Sequence, residues 1–139
     1  MDLFNTKLPQ NKLHASFKEI CSDPNYAPVK DVIQSWSKGL LERSGEQAKF
    51  INEFQTTFNS AFWELYLNKM IIELGFSVDY TKGSPDFCVS TPSGNQFNIE
   101  AVVSDRPKAT TTKINSLNEK EFRDRCTVKL IGKLKDKRD

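Results

Sequence analysis

Asp86 and Glu100 are the residues whose types and spacing suggest chemistry. Asp86 follows Pro85 and opens the apolar run Phe87-Cys88-Val89. Glu100 interrupts a second run, Ile99-Glu100-Ala101-Val102-Val103. Between them, Pro92-Ser93-Gly94-Asn95 has the composition of a tight turn. A hairpin sets the start of one strand beside the end of the next, so the spacing predicts that Asp86 and Glu100 are antiparallel neighbours. Their carboxylates are then expected about 4–6 Å apart, within reach of one metal. Carboxylates that close repel unless a divalent cation neutralises them. Mg²⁺ or Mn²⁺ suits the pair, because hard cations take oxygen ligands and keep several waters. Glu64 is a third acid, set among Phe62, Trp63, Leu65 and Tyr66. It either lies at a helix margin in solvent or points at something charged. The alternatives for the other two are an acid that merely opens a strand after proline and an acid on an exposed sheet face.

These side chains need elements to position them. Phe58, Phe62, Leu65, Tyr66, Leu67, Met70, Ile71 and Leu74 recur at helical spacing and predict one helix from about Gln55 to Leu74. Gly75 stands where a helix C′ residue belongs. Phe76 to Tyr80 alternates like a half-buried strand. Lys82 to Pro85 reads as a turn, Asp86 to Thr91 as a second strand and Gln96 to Ser104 as a third. In that third strand Phe97, Ile99, Ala101 and Val103 face one way, and Asn98, Glu100 and Val102 the other. A linker rich in Thr and Lys, Asp105 to Asn115, leads to Ser116-Leu-Asn-Glu119, a capping box that opens a last helix. Phe122, Cys126, Leu130 and Leu134 give that helix its buried stripe. Upstream, Asp23-Pro24 and Ala27-Pro28 mark turns. Asp31 is expected to cap a short helix through Gly39, with Val32, Ile33, Trp36 and Leu40 on one side, and residues 45–47 read as a loop. The organisation is thus a lead-in over 1–47, packing on a core over 48–139, within a single α/β domain.

Charged residues make up 27% of the 139 and apolar residues 37%, which suits a soluble globular chain. No apolar run reaches 18 residues, so no membrane span is expected. The N-terminus lacks the apolar stretch of a secretory signal, which points to the cytoplasm. Cys21, Cys88 and Cys126 form no zinc pattern and read as free thiols. Charge is unevenly placed. Residues 51–104 carry six acids and two bases, a net −4, and residues 120–139 carry eight bases and four acids, a net +4. That asymmetry suits an acidic metal pocket beside a basic surface that meets phosphates, and it also suits ordinary solvated helix faces.

The ordered set of a helix bearing Glu64, a strand, the Pro85-Asp86 strand, a turn, the strand bearing Glu100 and a final helix resembles the core of the PD-(D/E)xK, or restriction-endonuclease-like, nucleases. The segment from Phe50 to Phe76, followed by Ser84-Pro85-Asp86-Phe87 and Phe97-Asn98-Ile99-Glu100-Ala101-Val102-Val103, is also similar to a group of uncharacterised bacterial members of that superfamily. The resemblance covers residues 50–104 well and 116–137 loosely. It implies a restriction-endonuclease-like core with a small mixed sheet flanked by helices. It further implies that Glu64, Asp86 and Glu100 hold the metal and that a lysine helps to orient the attacking water. The motif should read Glu-x-Lys, whereas here it reads Glu100-Ala101-Val102. Some members carry the lysine on the following helix, and Lys133, whose helical phase falls between Phe122 and Cys126, takes that place here. The superfamily core continues into further strands after this helix. The chain is therefore expected to be truncated there, to have a sheet edge covered by a second copy or a partner chain, or to be a reduced variant of the fold.

The expected function is metal-dependent hydrolysis of phosphodiester bonds in nucleic acid, DNA in the first instance. The rival expectation is a nuclease-like domain that no longer cuts and serves as a binding or assembly module, which the missing lysine favours.

Overall fold

The computed structural model describes residues 2–43 and 45–103, together with Arg123, Asp124 and Thr127. The chain divides into two compact units, Met1–Ala101 and Val102–Asp139. In the first unit, helices α1 (Ala15–Ser22), α2 (Ala27–Ser35), α3 (Gln47–Thr56) and α4 (Asn59–Glu73) precede a sheet of β1 (Ser77–Val78), β2 (Phe87–Ser90) and β3 (Gln96–Ile99). Among the described residues this is a helical assembly with a small three-stranded sheet. The expected mixed sheet is instead wholly antiparallel, in the order β1-β2-β3. Each strand follows its predecessor through a short connection, and parallel pairing would need a long crossover.

The N-terminal prolines start helices rather than mark plain turns. Pro24 opens a 3₁₀ turn, Pro24–Tyr26, and Pro28 lies in the first turn of α2. Proline is pre-organised there, since the first helical N–H groups have no intrahelical partner. Helix α2 therefore begins before Asp31, which sits in its interior and not at its cap. Ile33 and Leu40 are buried as expected, Trp36 is half-buried and Val32 is exposed. Leu3, Leu13, Phe17, Ile33, Leu40 and Leu41 form one hydrophobic core with Phe50, Phe54, Phe58, Ala61, Leu65, Ile71, Phe87 and Val89, so the core runs continuously across position 47. Buried Gln55 ties in the N-terminal strap: its Nε2 donates to the carbonyls of Leu3 (3.0 Å) and Asn5 (3.3 Å).

The single long helix expected from Gln55 to Leu74 is two helices. The break falls at Thr57–Phe58, where both N–H groups donate to the Glu53 carbonyl (2.8 and 2.9 Å). Phe58 has φ +48°, a left-handed conformation unusual for a non-glycine residue. Such strain costs about 1–3 kcal/mol and persists where packing over-determines it. Here the buried ring stands 5.2 Å from Phe54, 5.3 Å from Phe62 and 5.7 Å from His14. Helix α4 buries Ala61, Leu65, Asn68 and Ile71, while Tyr66, Met70 and Leu74, counted on the apolar face from their spacing, are exposed. It ends as expected at Gly75, φ +75°. The Gly75 N–H donates to the Ile72 carbonyl (2.9 Å) and the Phe76 N–H to that of Ile71 (3.1 Å), the paired bonds of a Schellman motif.

The β2–β3 hairpin turns where its composition predicts. Thr91 N–H donates to the Asn95 carbonyl (2.8 Å), and Gly94 supplies φ +87°. The third strand is shorter than expected. It stops at Ile99, and Glu100 lies just beyond it. The ladder can extend only as far as its partner, and β2 begins at Phe87, directly after the Pro85-Asp86 bend. Within β3 the residues Gln96, Phe97 and Asn98 are all exposed, so the expected buried face is absent there.

Candidate functional site

One face of α3 and the segment before it build a cavity of about 100 Å³. Glu46, Lys49, Phe50 and Glu53 stand at i, i+3, i+4 and i+7, a spacing that puts them on one helix face. Leu40 and Arg43 come from the 3₁₀ turn Leu40–Glu42 and the residue after it. Glu64 enters from α4, and Gly83 and Asp86 from the loop before β2. Among the described residues the lining holds four carboxylates and two cationic side chains.

Asp86 is held at both ends. Its carbonyl accepts a hydrogen bond from Arg43 Nη2, and its carboxylate Oδ2 accepts one from the Ala101 N–H at 2.7 Å. The second bond extends the β2–β3 contact beyond its last pair, Phe87 and Ile99. Asp86 and Glu100 directly flank this last pair, outside the ladder. Glu100 is exposed and is not among the residues lining the cavity. Glu64 and Asp86 both line this cavity, whereas the exposed Glu100 is outside its lining. Lys133 lies outside the described residues.

Arg43 was not singled out from the sequence. It is only 7% exposed. Its guanidinium carbon lies 5.9 Å from the centroid of the Tyr80 ring and 5.6 Å from that of Phe87. The supporting shell is polar and buried. Asn68, 0% exposed, donates through Nδ2 to the carbonyls of Trp36 (2.8 Å) and Lys38 (2.9 Å), and its Oδ1 accepts from the Tyr80 hydroxyl (2.7 Å). Gly39, φ +82°, lies directly beneath the Tyr80 ring, and a Cβ there would collide with it. Helix α4, the Trp36–Gly39 segment and Tyr80 are thus locked together, and Tyr80 in turn walls Arg43. Burial pushes the Tyr80 phenol up, with its hydrogen bond to Asn68 and then the Arg43 guanidinium acting in the opposite sense. The signal in the sequence is an asparagine directly after Leu65-Tyr66-Leu67, a polar residue one turn before the buried Ile71.

The oxygen-rich lining suits a hard cation. Among the described residues no group of three or more His, Cys, Asp or Glu is placed to hold a metal ion, so Glu64 and Asp86 would share one with water. Mg²⁺ is commonly bound in that way, by one or two carboxylates completed by water and substrate phosphate. Cys21 and Cys88 are free and half-buried, and Cys126 lies outside the described residues. No helix among the described residues is long and apolar enough to cross a membrane. In comparisons with known proteins, no family model, no curated protein and no solved structure matches this chain.

Proposed function

We propose that the chain is a metal-dependent nuclease of the PD-(D/E)xK type, acting on phosphodiester bonds of nucleic acid, with DNA as the first substrate to test. The observation that supports the reading is that Glu64 and Asp86, from two different elements, both line one cavity that also holds Arg43 and Lys49. Glu64 and Asp86 would hold Mg²⁺ or Mn²⁺. When bound, the cation supplies Lewis acidity at the phosphate and lowers the pKa of a coordinated water. Arg43 fixes the Asp86 backbone through its carbonyl, and the Ala101 N–H fixes the carboxylate, so little reorganisation is needed on binding. Glu100, next to Asp86 along the hairpin, would join as the ligand the resemblance implies.

The rival reading, a nuclease-like binding or assembly module, is favoured by Val102 at the position where the motif has its lysine. Titration with Mn²⁺ at neutral pH tests the metal half of the proposal. Wild-type protein is expected to bind saturably, and Asp86→Asn or Glu64→Gln to weaken affinity at least about tenfold, a loss of about 1.4 kcal/mol. Glu100→Gln measures the contribution of the surface acid separately. No saturable binding by the wild type, or binding indifferent to Asp86→Asn, contradicts the site.

A further inference from the structure

A second cavity, of about 360 Å³, is built by the N-terminal segment and α1, and it shares no residue with the one that Glu64 and Asp86 line. On α1, Phe17 and Cys21 stand four residues apart, and so do Lys18 and Ser22, so an apolar row and a polar row of the helix run side by side along its wall. Leu13 and Phe17 are buried, Phe4, Lys18 and Cys21 are half-buried, and Gln10 and Ser22 are exposed. The lining therefore grades from an apolar floor to a polar mouth. The Phe4 wall is fixed before any ligand arrives. Leu3 N–H donates to Gln34 Oε1 (2.8 Å), and the carbonyls of Leu3 and Asn5 accept from Gln55, so the backbone is tied on both sides of Phe4. The Phe4 ring stacks on Phe17 (6.1 Å) and meets Phe54 edge-on (5.5 Å). A preformed apolar cavity with a few polar groups is the usual form of a small-molecule site, and about 300–1,000 Å³ is its usual size.

Charge selects the ligand. Among the described residues Lys18 is the only charged residue of this lining, and it makes no ion pair there. Burial pushes the Cys21 thiol up, so it adds no negative charge at neutral pH. A half-buried ammonium without a counter-charge favours an anion, and the apolar floor favours hydrocarbon. We propose that this cavity binds a small amphipathic monocarboxylic acid, with its hydrocarbon chain on Leu13 and Phe17 and its carboxylate at Lys18. The site is independent of the nuclease reading. The same chemistry occurs in a free acid and at the apolar C-terminus of a peptide, and the preformed cavity is assigned to the free acid.

The test titrates four probes into the 139-residue chain at neutral pH: octanoate, hexanoate, the neutral octanamide and N-acetyl-phenylalanine. Binding is followed through the backbone amide shifts in ¹⁵N NMR spectra. Octanoate is expected to saturate one site with a Kd below about 1 mM. Its shifts should concentrate at Leu13, Phe17 and Cys21 and spare Glu64 and Asp86. Hexanoate, shorter by two methylenes, should bind about tenfold more weakly. Octanamide should bind at least about fivefold more weakly, since a charge-assisted hydrogen bond is lost. Lys18→Met should erase the preference for acid over amide while leaving octanamide affinity within about threefold. The location of the shifts is read on the wild type and needs no variant. Absence of saturable binding, an amide bound as tightly as the acid, or a preference that survives Lys18→Met overturns the proposal. So do octanoate shifts centred away from Leu13, Phe17 and Cys21. N-acetyl-phenylalanine bound more tightly than octanoate overturns the free acid and assigns the site to a peptide C-terminus.

Discussion

Replacing Asn68 by leucine should be among the most damaging single changes in the first compact unit. Leucine keeps the branched shape and the number of side-chain heavy atoms, so the chief loss is of hydrogen bonds. Three groups lose their partner: the Trp36 carbonyl, the Lys38 carbonyl and the Tyr80 hydroxyl. Each buried group left unsatisfied costs about 1–3 kcal/mol. Tyr80 is only half-buried and can turn to water, so its share lies at the low end. Added apolar area from leucine returns about 1 kcal/mol. The net loss is then about 3–4 kcal/mol, against a total stability of about 5–15 kcal/mol for a domain. With a urea slope of about 2 kcal/mol/M, the unfolding midpoint should fall by about 1.5–2 M. Tyr80→Phe alone should cost about 1 kcal/mol, and the double variant less than the sum of the two, because both remove the same bond. A midpoint shift under about 0.5 M at unchanged slope would refute the view that this network locks α4 to the segment bearing Arg43.

Gly39→Ala meets two penalties, a positive φ and a Cβ driven into the Tyr80 ring, and should destabilise by about 2–5 kcal/mol on thermal unfolding. Because burial raises the Tyr80 pKa, the unfolded chain ionises at lower pH than the folded one. That contribution to stability is complete below about pH 10, the usual tyrosine value, and is lost as pH rises through the folded pKa. Denaturation followed through that alkaline range should show the loss in the wild type and a smaller one in Tyr80→Phe.

Some of this structure could be read from residue types because local chemistry decided it. Gly75 ends α4 since only a left-handed residue closes the two Schellman bonds, and Pro92 to Asn95 turns since Gly94 supplies the required φ. The helix break at Phe58 could not be read in this way. The apolar spacing runs through it without interruption, and the reason for the break is tertiary, a ring clamped among Phe54, Phe62 and His14. The extent of β3 depended on where β2 begins, which is a property of the pair and not of either strand. At the site, the turn composition led to the hairpin whose last pair, Phe87 and Ile99, is flanked by Asp86 and Glu100, and Glu64 lines the cavity from α4. Arg43 was hidden because Leu41-Glu42-Arg43 has no periodicity that predicts burial. A charged residue becomes buried only when Tyr80 and Phe87, distant in sequence, close over it.

The central claim is most directly tested by incubating the purified 139-residue chain with supercoiled plasmid in Mg²⁺ or Mn²⁺ and following conversion to nicked and linear forms. Cleavage is expected with either cation and absent in chelator, falling at least about a hundredfold in Asp86→Asn and Glu64→Gln, equivalent to about 2.7 kcal/mol of lost transition-state stabilisation. A wild-type preparation that binds Mn²⁺ yet leaves plasmid intact, or one whose cleavage survives Asp86→Asn undiminished, would contradict it.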